Sequence, residues 1–257
     1  KRLSSEGVRE FNLIAQDSSF YGRDLNDGTT LARLLKELVK IDNVKWIRLF
    51  YLYPTYFDDE LLEIITKEEK ICKYVDIPLQ HRRDSSQSIK KLLKKLRNTT
   101  PYITIRTTLM VGFPGETEAD FKELLTFIKA VKFDNMGAFT YSAQDGTPAA
   151  RMVDQVTEEI KENRYHELMA AQAEISEENN RNLIGVDTEV LVEELLDDGC
   201  GNLQAKGRAS FQAPEVDGNV YIDHPGDLRP GDFVKAHIID GYAYDLIAER
   251  ITTDRGI

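Results

Sequence analysis

Sulfur and long apolar stretches are scarce in this 257-residue sequence. Only two cysteines occur, Cys72 and Cys200. Two thiols so far apart build no disulfide framework, and unpaired thiols point to a reducing, cytoplasmic compartment. No apolar run approaches the roughly 20 residues that a helix needs to span a membrane. No signal-peptide pattern opens the chain, whose first residue is Lys1 rather than Met. Motifs of independent catalysis are missing as well: there is no Ser/His/Asp elbow, no phosphate-binding loop, no Cys-x-x-Cys and no His-x-x-x-His. What the chain does have is a hydrophobic content of 41%, enough to bury a real core in one large domain or a medium and a small one.

The net charge is −11, which opposes broad binding of nucleic-acid phosphates. It is also unevenly spread. Residues 184–257 hold 15 Asp and Glu against 6 Lys and Arg, a net of −9, while residues 1–183 hold 29 against 27, a net of −2. A surface of that kind attracts a basic partner and repels RNA.

From Glu10 to Tyr141 short β-rich runs alternate with amphipathic helical runs, the pattern of a parallel sheet with crossover helices. The predicted strands are Glu10–Gln16, Lys45–Phe50, Tyr74–Leu79, Ile103–Val111 and Met136–Tyr141; their near-continuous apolar character suits strands covered on both faces. Leu31, Leu34, Leu35 and Leu38 share one helical face, as do Leu61, Leu62 and Ile65. Thr117 and Asp120 form a variant capping box ahead of the stripe Phe121, Leu124, Leu125 and Ile128. Five such strands imply a (βα) barrel, closed or open, although a doubly wound sheet fits the periodicity nearly as well. Residues 158–183 read as one long polar helix with a sparse apolar face of Ile160, Leu168, Met169 and Ile175, connecting a first domain (residues 1–157) to a second (residues 184–257). There the pattern changes to five short strands, Thr188–Leu195, Leu203–Ala209, Asn219–Asp223, Phe233–Ile239 and Tyr244–Ile251, punctuated by Gly and Pro. They suit a small antiparallel five-stranded β-barrel of OB-like size.

In a parallel (βα) barrel the working residues sit where strands end and loops begin. That rule selects Gln16-Asp17 with Tyr21-Gly22, Tyr51-Leu52-Tyr53-Pro54, Pro78-Leu79-Gln80-His81, Gly112-Phe113-Pro114-Gly115-Glu116, and Tyr141-Ser142. Each cluster has an ordinary structural explanation; their convergence on one rim is the signal. Arg106 lies inside an apolar strand and needs either a structural carboxylate or an anionic ligand, because an unpaired buried charge is costly. The glycines around Pro114 give a turn with little side-chain bulk, which lets backbone groups approach a flat ligand such as an adenine ring. A rim without nucleophile or metal motif suggests that a cofactor does the hard chemistry.

Several of these segments carry a resemblance. Gly7-Val8-Arg9-Glu10 running into Ala15-Gln16-Asp17 and Tyr21-Gly22, then Asp76-Ile77-Pro78-Leu79-Gln80-His81 and Val111-Gly112-Phe113-Pro114-Gly115-Glu116-Thr117, resemble signatures of the radical-SAM methylthiotransferases. The C-terminal barrel is similar to a TRAM domain. Gln80-His81, Ala213-Pro214-Glu215-Val216-Asp217-Gly218 and Tyr244-Asp245-Leu246 match the RimO branch better than the tRNA-modifying branch. The resemblance implies a partial radical-SAM (TIM-like) barrel followed by the TRAM barrel. It also implies insertion of a methylthio group at the β-carbon of an aspartate in a basic small-subunit ribosomal protein. One S-adenosylmethionine supplies the methyl group, and another, cleaved reductively at a [4Fe–4S] cluster, supplies a 5′-deoxyadenosyl radical; a second cluster handles the sulfur. The rim residues it carries over for binding adenosylmethionine are Gln16, Asp17, Tyr53, Gln80, His81, Arg106, Gly112, Phe113 and Tyr141.

Two departures matter. The Cys-x-x-x-Cys-x-x-Cys set that ligates the radical cluster is absent, and Cys72 and Cys200 do not replace it. The two clusters are therefore expected on the full-length protein and none on this stretch of 257 residues, which would be inactive alone. Second, the family continues from Gln-His into Ser-Asp-x-x-Leu-x-x-Met-x-Arg, whereas Arg82-Arg83-Asp84-Ser85-Ser86 follows His81 directly, which points to a stretch missing between His81 and Arg82. The runner-up is a tRNA methylthiotransferase, opposed by the acidic tail. A non-catalytic binding module, which would not bind adenosylmethionine, is the alternative of another class.

Overall fold

Alternating apolar and amphipathic segments fold as the pattern predicts. The computed structural model describes residues 1–79, 87–197 and 203–252. Its chain divides into two compact units, Lys1–Gln172 and Ala173–Ile257.

In the first unit the strands are β1 (Glu10–Leu13), β2 (Trp46–Leu49), β3 (Ile71–Asp76), β4 (Thr104–Val111) and β5 (Asn135–Thr140). All pair in parallel in the order β1-β2-β3-β4-β5. That order decides a choice left open by periodicity: a doubly wound sheet reverses direction at a switch point, and this one does not. Helix α1 (Arg2–Ser5) precedes β1, and α2 (Leu31–Leu38), α3 (Asp59–Lys67), α4 (Gln87–Thr99) and α5 (Glu118–Val131) fill the four crossovers. Side-chain caps start three of them. Thr30, Asp58 and Thr117 each accept a backbone N–H of the first turn, and Thr117 with Asp120 forms the full reciprocal capping box.

The two faces of the sheet differ. Because side chains alternate along a strand, the register puts Ile47, Leu49, Val75, Ile105, Thr107, Leu109 and Val111 on one face, and every one of them is buried. Lys73 shares this face and donates from Nζ to the carbonyls of Ile65 and Glu68 at the end of α3, so this is the face that α3 covers. The opposite face carries Glu10, Arg48, Tyr74, Asp76, Arg106 and Thr108. In β4 the residues of this second face are only half-buried from Arg106 onward. The expectation of strands apolar on both faces therefore fails for half of the sheet: one face is a conventional core and the other is ionic.

Helix α6 (Glu158–Arg181) contains the division between the units. Of its expected apolar stripe, Leu168 and Ile175 are buried and Met169 is half-buried, but Ile160 is exposed, and Lys161, Arg164, Gln172 and Ser176 are buried in its place. The buried positions recur every three or four residues, as one helical face must, but most of them are polar.

The second unit is a closed barrel of β6 (Asp187–Asp197), β7 (Leu203–Ala209), β8 (Val220–Asp223), β9 (Phe233–Gly241) and β10 (Leu246–Arg250), in the order β10-β8-β7-β6-β9. It is not wholly antiparallel, because β8 and β10 pair in parallel. A ring of five strands cannot alternate direction throughout, so closure forces at least one parallel pair. The interior is filled by Val190, Val192, Ala205, Ala209, Val220, Ile222, Val234, Ala236, Ile238, Leu246 and Ala248. Gly218 lies where a Cβ would overlap the Tyr244 carbonyl, which closes this end of the barrel tightly.

Candidate functional site

Because all five strands of the first unit run the same way, their C-terminal ends lie on one edge, and the segments chosen from the sequence leave from that edge. After β1, Gln16 is exposed and Asp17 is half-buried. Asp17 caps the single 3-10 turn Ser18–Phe20 by accepting the Ser19 N–H at 2.9 Å. The Ser19 hydroxyl donates to Asp17 and accepts the Tyr53 N–H at 3.0 Å. Ser18 N–H donates to the Tyr51 carbonyl at 2.9 Å. The loops after β1 and β2 are thereby stitched together, with Asp17 and Tyr53 on either side of one serine.

Asp76, at the end of β3, holds the centre of the edge. It is buried, and it lies beside Arg106 in register. Arg106 reaches its carboxylate at 3.5 Å and the Thr108 hydroxyl at 3.1 Å. Of the two partners expected for Arg106, the structural carboxylate is present in Asp76. The other oxygen of Asp76 accepts the Tyr51 N–H at 3.3 Å, and its carbonyl accepts the Leu52 N–H at 2.8 Å. Tyr51 has φ of 53°, a left-handed conformation that an aromatic residue adopts only where surrounding bonds over-determine it. Asp76 supplies such bonds, and the Tyr51 ring is left exposed at the edge. Deeper in the same face, Arg48 pairs with Glu10 at 3.1 Å and stacks over the Tyr74 ring at 4.8 Å. Sequence reasoning passed over Asp76, although it opens one of the quoted motifs; a carboxylate one register step from Arg106 was the available signal.

After β4 the chain turns at Gly112, with φ of +76°. A Cβ here would run into the aliphatic stem of Lys161 from the first turn of α6. Phe113 packs edge-on against Tyr141, which follows β5, with ring centroids 5.2 Å apart. The Lys161 ammonium lies over the Tyr141 ring at 5.4 Å. The Tyr141 hydroxyl is buried and has no hydrogen-bond partner among the described residues. A tyrosine hydroxyl normally finds a partner when buried, so this orphan is an unmet hydrogen-bonding group at the corner. The turn itself is fastened from behind: Glu116 Oε1 accepts the Gly112 N–H at 2.9 Å and the Arg164 guanidinium at 2.7 Å. Lys161 and Arg164 were not singled out from the sequence because they sit in a segment that reads as polar helix surface.

The structure therefore brings the nominated residues together in three groups. Asp17 and Tyr53 share Ser19, Arg106 pairs with Asp76, and Gly112, Phe113 and Tyr141 form one corner. Asp76 joins the first two groups through Tyr51. The first and last groups stand at opposite ends of a five-strand edge, about three strand spacings or roughly 14 Å apart, so no single contact links them. Gln80, His81 and the His81–Arg82 junction lie outside the described residues. Adenosylmethionine fits this edge on chemical grounds: a bare turn and two aromatic rings for a flat purine, an unpaired hydroxyl, and fixed backbone polar groups. An iron–sulfur cluster does not fit, since the sequence has only two cysteines for a site that takes three or four thiolates, and no group of three His, Cys, Asp or Glu among the described residues is arranged to hold a metal.

Away from this edge, Asp134 accepts the Ile105 N–H at 2.8 Å and an Arg97 contact at 3.3 Å. Burial pushes its carboxyl above the usual range, and Arg97 only partly offsets this. No helix among the described residues is long and apolar enough to cross a membrane.

Comparison with known proteins agrees with this architecture. The TRAM domain family model matches residues 184–251. The chain is 47% identical to the ribosomal protein uS12 methylthiotransferase RimO of Geotalea uraniireducens, 48% to that of Pelobacter propionicus and 49% to that of Citrifermentans bemidjiense. Each alignment covers 97% of this chain and 57% of the relative, so the chain spans little more than half the length of the curated relatives it matches. With similarity of that extent, the chain belongs to the RimO-type methylthiotransferase family and corresponds to its C-terminal part, the TRAM domain included.

Proposed function

We propose that the protein to which this chain belongs adds a methylthio group to the β-carbon of an aspartate in a small-subunit ribosomal protein. In this reading residues 1–157 are a partial radical-SAM barrel, residues 158–183 a connecting helix and residues 184–257 the TRAM domain. The observation that carries it is the similarity over 97% of the chain to proteins named for that reaction on uS12. The orphaned Tyr141 hydroxyl at the Gly112–Phe113 corner supports it.

When bound, adenosylmethionine supplies the methyl group and the hydrogen-abstracting fragment. The residues of this chain bind and orient it. Phe113 and Tyr141 offer aromatic surface, and the Tyr141 hydroxyl offers a hydrogen bond. Gly112 leaves room for the Lys161 stem, which packs against the turn that carries Phe113. Ser19 holds Asp17 and Tyr53 at the β1 end of the edge, with Gln16 exposed beside them, and Asp76 holds Arg106 at its middle. Gln80 and His81 complete the set by resemblance. The clusters are assigned to the full-length protein, not to these residues. The net charge of −9 over residues 184–257 favours a basic protein partner and disfavours RNA.

The test uses the full-length protein with its clusters reconstituted, supplied with adenosylmethionine, reductant and sulfide. The purified small-subunit ribosomal protein and bulk tRNA serve as competing substrates. Mass spectrometry should find a methylthio group on one aspartate of the protein. Modification of a tRNA nucleoside instead, or of neither, would overturn the reading.

A further inference from the structure

The Glu116–Arg164 pair is built differently from the other ion pairs at the ends of helices. Lys67–Glu63 and Lys122–Glu118 join largely exposed side chains within one helix, where such pairs contribute little. Arg164 and Glu116 are nearly buried and join α6 to the turn after β4, 48 residues away in sequence. A buried charge needs a partner, and each of these two has the other. The guanidinium also donates to the Glu116 carbonyl at 3.2 Å and lies over the Phe121 ring at 5.6 Å. Glu116 uses the same oxygen, Oε1, for Arg164 and for the Gly112 N–H. The influence of Arg164 on the aromatic corner therefore passes through this carboxylate.

We infer that Arg164 is a positioning residue for adenosylmethionine: by orienting the Glu116 carboxylate it fixes the Gly112 N–H and thereby the Phe113 ring against Tyr141. Without the guanidinium, the Glu116 carboxylate turns outward to be hydrated, and the buried Gly112 N–H loses its acceptor. The turn then samples other conformations, and the aromatic corner is no longer preformed for the ligand. Binding must then meet the ordering cost that preorganisation avoids. This rests on the reading above that adenosylmethionine binds at this corner.

The experiment measures adenosylmethionine affinity by titration calorimetry on the full-length, cluster-reconstituted protein, alongside the melting temperature of the same preparations. Arg164→Met is expected to weaken binding about tenfold, the equivalent of one charge-assisted hydrogen bond. Arg164→Lys keeps the charge and the fold but not the forked geometry, and should recover part of the loss. Glu118→Gln removes only the exposed carboxylate 3.7 Å from Arg164 and should change nothing. Phe113→Ala is the benchmark for the site itself. If Phe113→Ala weakens binding while both Arg164 variants bind within about twofold of the parent, the inference falls and the site stands. If Phe113→Ala has no effect, the site assignment falls and takes the inference with it. Should Arg164→Met not fold, Arg164→Lys against Glu118→Gln decides alone, and equal affinities in those two overturn the proposal.

Discussion

Replacing Gly112 by alanine probes the corner with one methyl group. Two costs combine. A φ of +76° is unfavourable for an L-residue by about 1–2 kcal/mol. The new Cβ also meets the Lys161 stem, which is pinned in a buried position, and overpacking of that kind costs about 1–3 kcal/mol. The expected loss is therefore about 2–5 kcal/mol, or roughly 4–20 °C in melting temperature for a unit of this size. The second cost is separable. Lys161→Ala removes the obstructing stem at about 1–3 kcal/mol of lost packing and lost contact over the Tyr141 ring, since its ion pair to the exposed Glu158 contributes little. The double variant should accordingly be more stable than the sum of the single losses by about 1–3 kcal/mol, the overpacking part. Urea unfolding of the four proteins, followed by tryptophan fluorescence from Trp46 in the first unit, reads the cycle directly. A Gly112→Ala variant as stable as the parent would refute the conformational argument. Strict additivity in the cycle would refute the claim that Lys161 occupies the glycine's missing side-chain space.

Three other outcomes follow from the geometry. Glu10→Gln removes one partner of the buried Arg48 pair and should destabilise the first unit by about 3–5 kcal/mol in urea unfolding; a change under about 1 kcal/mol would mean the pair is solvated. Gly218→Ala drives a methyl into the Tyr244 backbone and should cost the barrel about 3 kcal/mol, seen as faster amide exchange in β8 and β10, with parent-like exchange as the contrary result. For Asp134 the folded chain holds the proton more firmly than the unfolded chain, because burial raises its carboxyl. Its contribution is therefore full below the ordinary value of 3.8 and is lost as pH rises through the folded value. Asp134→Asn should gain stability relative to the parent as pH rises from acid toward neutrality, and a gap that stays flat or moves the other way counts against the burial argument.

Strand existence was legible because hydrophobic runs and crossover helices repeat, and Thr117 with Asp120 announced α5; strand order was not, since a doubly wound sheet has the same periodicity. Nor were boundaries. Strand β3 starts at Ile71, three residues before the expected Tyr74, and takes in Lys73, whose ammonium caps the carbonyls at the end of α3. Strand β1 stops at Leu13, and Ile14 beyond it is exposed; apolar character alone gave no hint that pairing had ended. At the site, Gly112, Phe113 and Tyr141 could be nominated from loop chemistry. Arg164 could not, since buried arginine and exposed arginine look alike until the partner carboxylate 48 residues away is brought beside it. The ring of five strands shows a different limit: composition gives short strands and turns, but only closure requires that one pair be parallel.

The parallel pairing of β8 with β10 has a consequence for how the second unit can come apart. Strands β6, β7 and β8 form one antiparallel meander, and β9 with β10 form a separate hairpin. Only two seams join these pieces. One is β6 with β9, where Asp187 faces His237, and the other is β8 with β10, where Val220 faces Leu246. Neither seam can be made by a tight turn, because both join residues distant in the chain. A break in the connection between Asp223 and Phe233 would therefore leave both pieces with their own local pairing and remove the chain tether, leaving the two seams and the shared interior to hold them together. Once parted, each piece would present two unpaired strand edges, the groups most ready to pair with another chain. The barrel behaves as a clasp of two parts, and opening the clasp, more than melting any one strand, is what would make this unit adhesive.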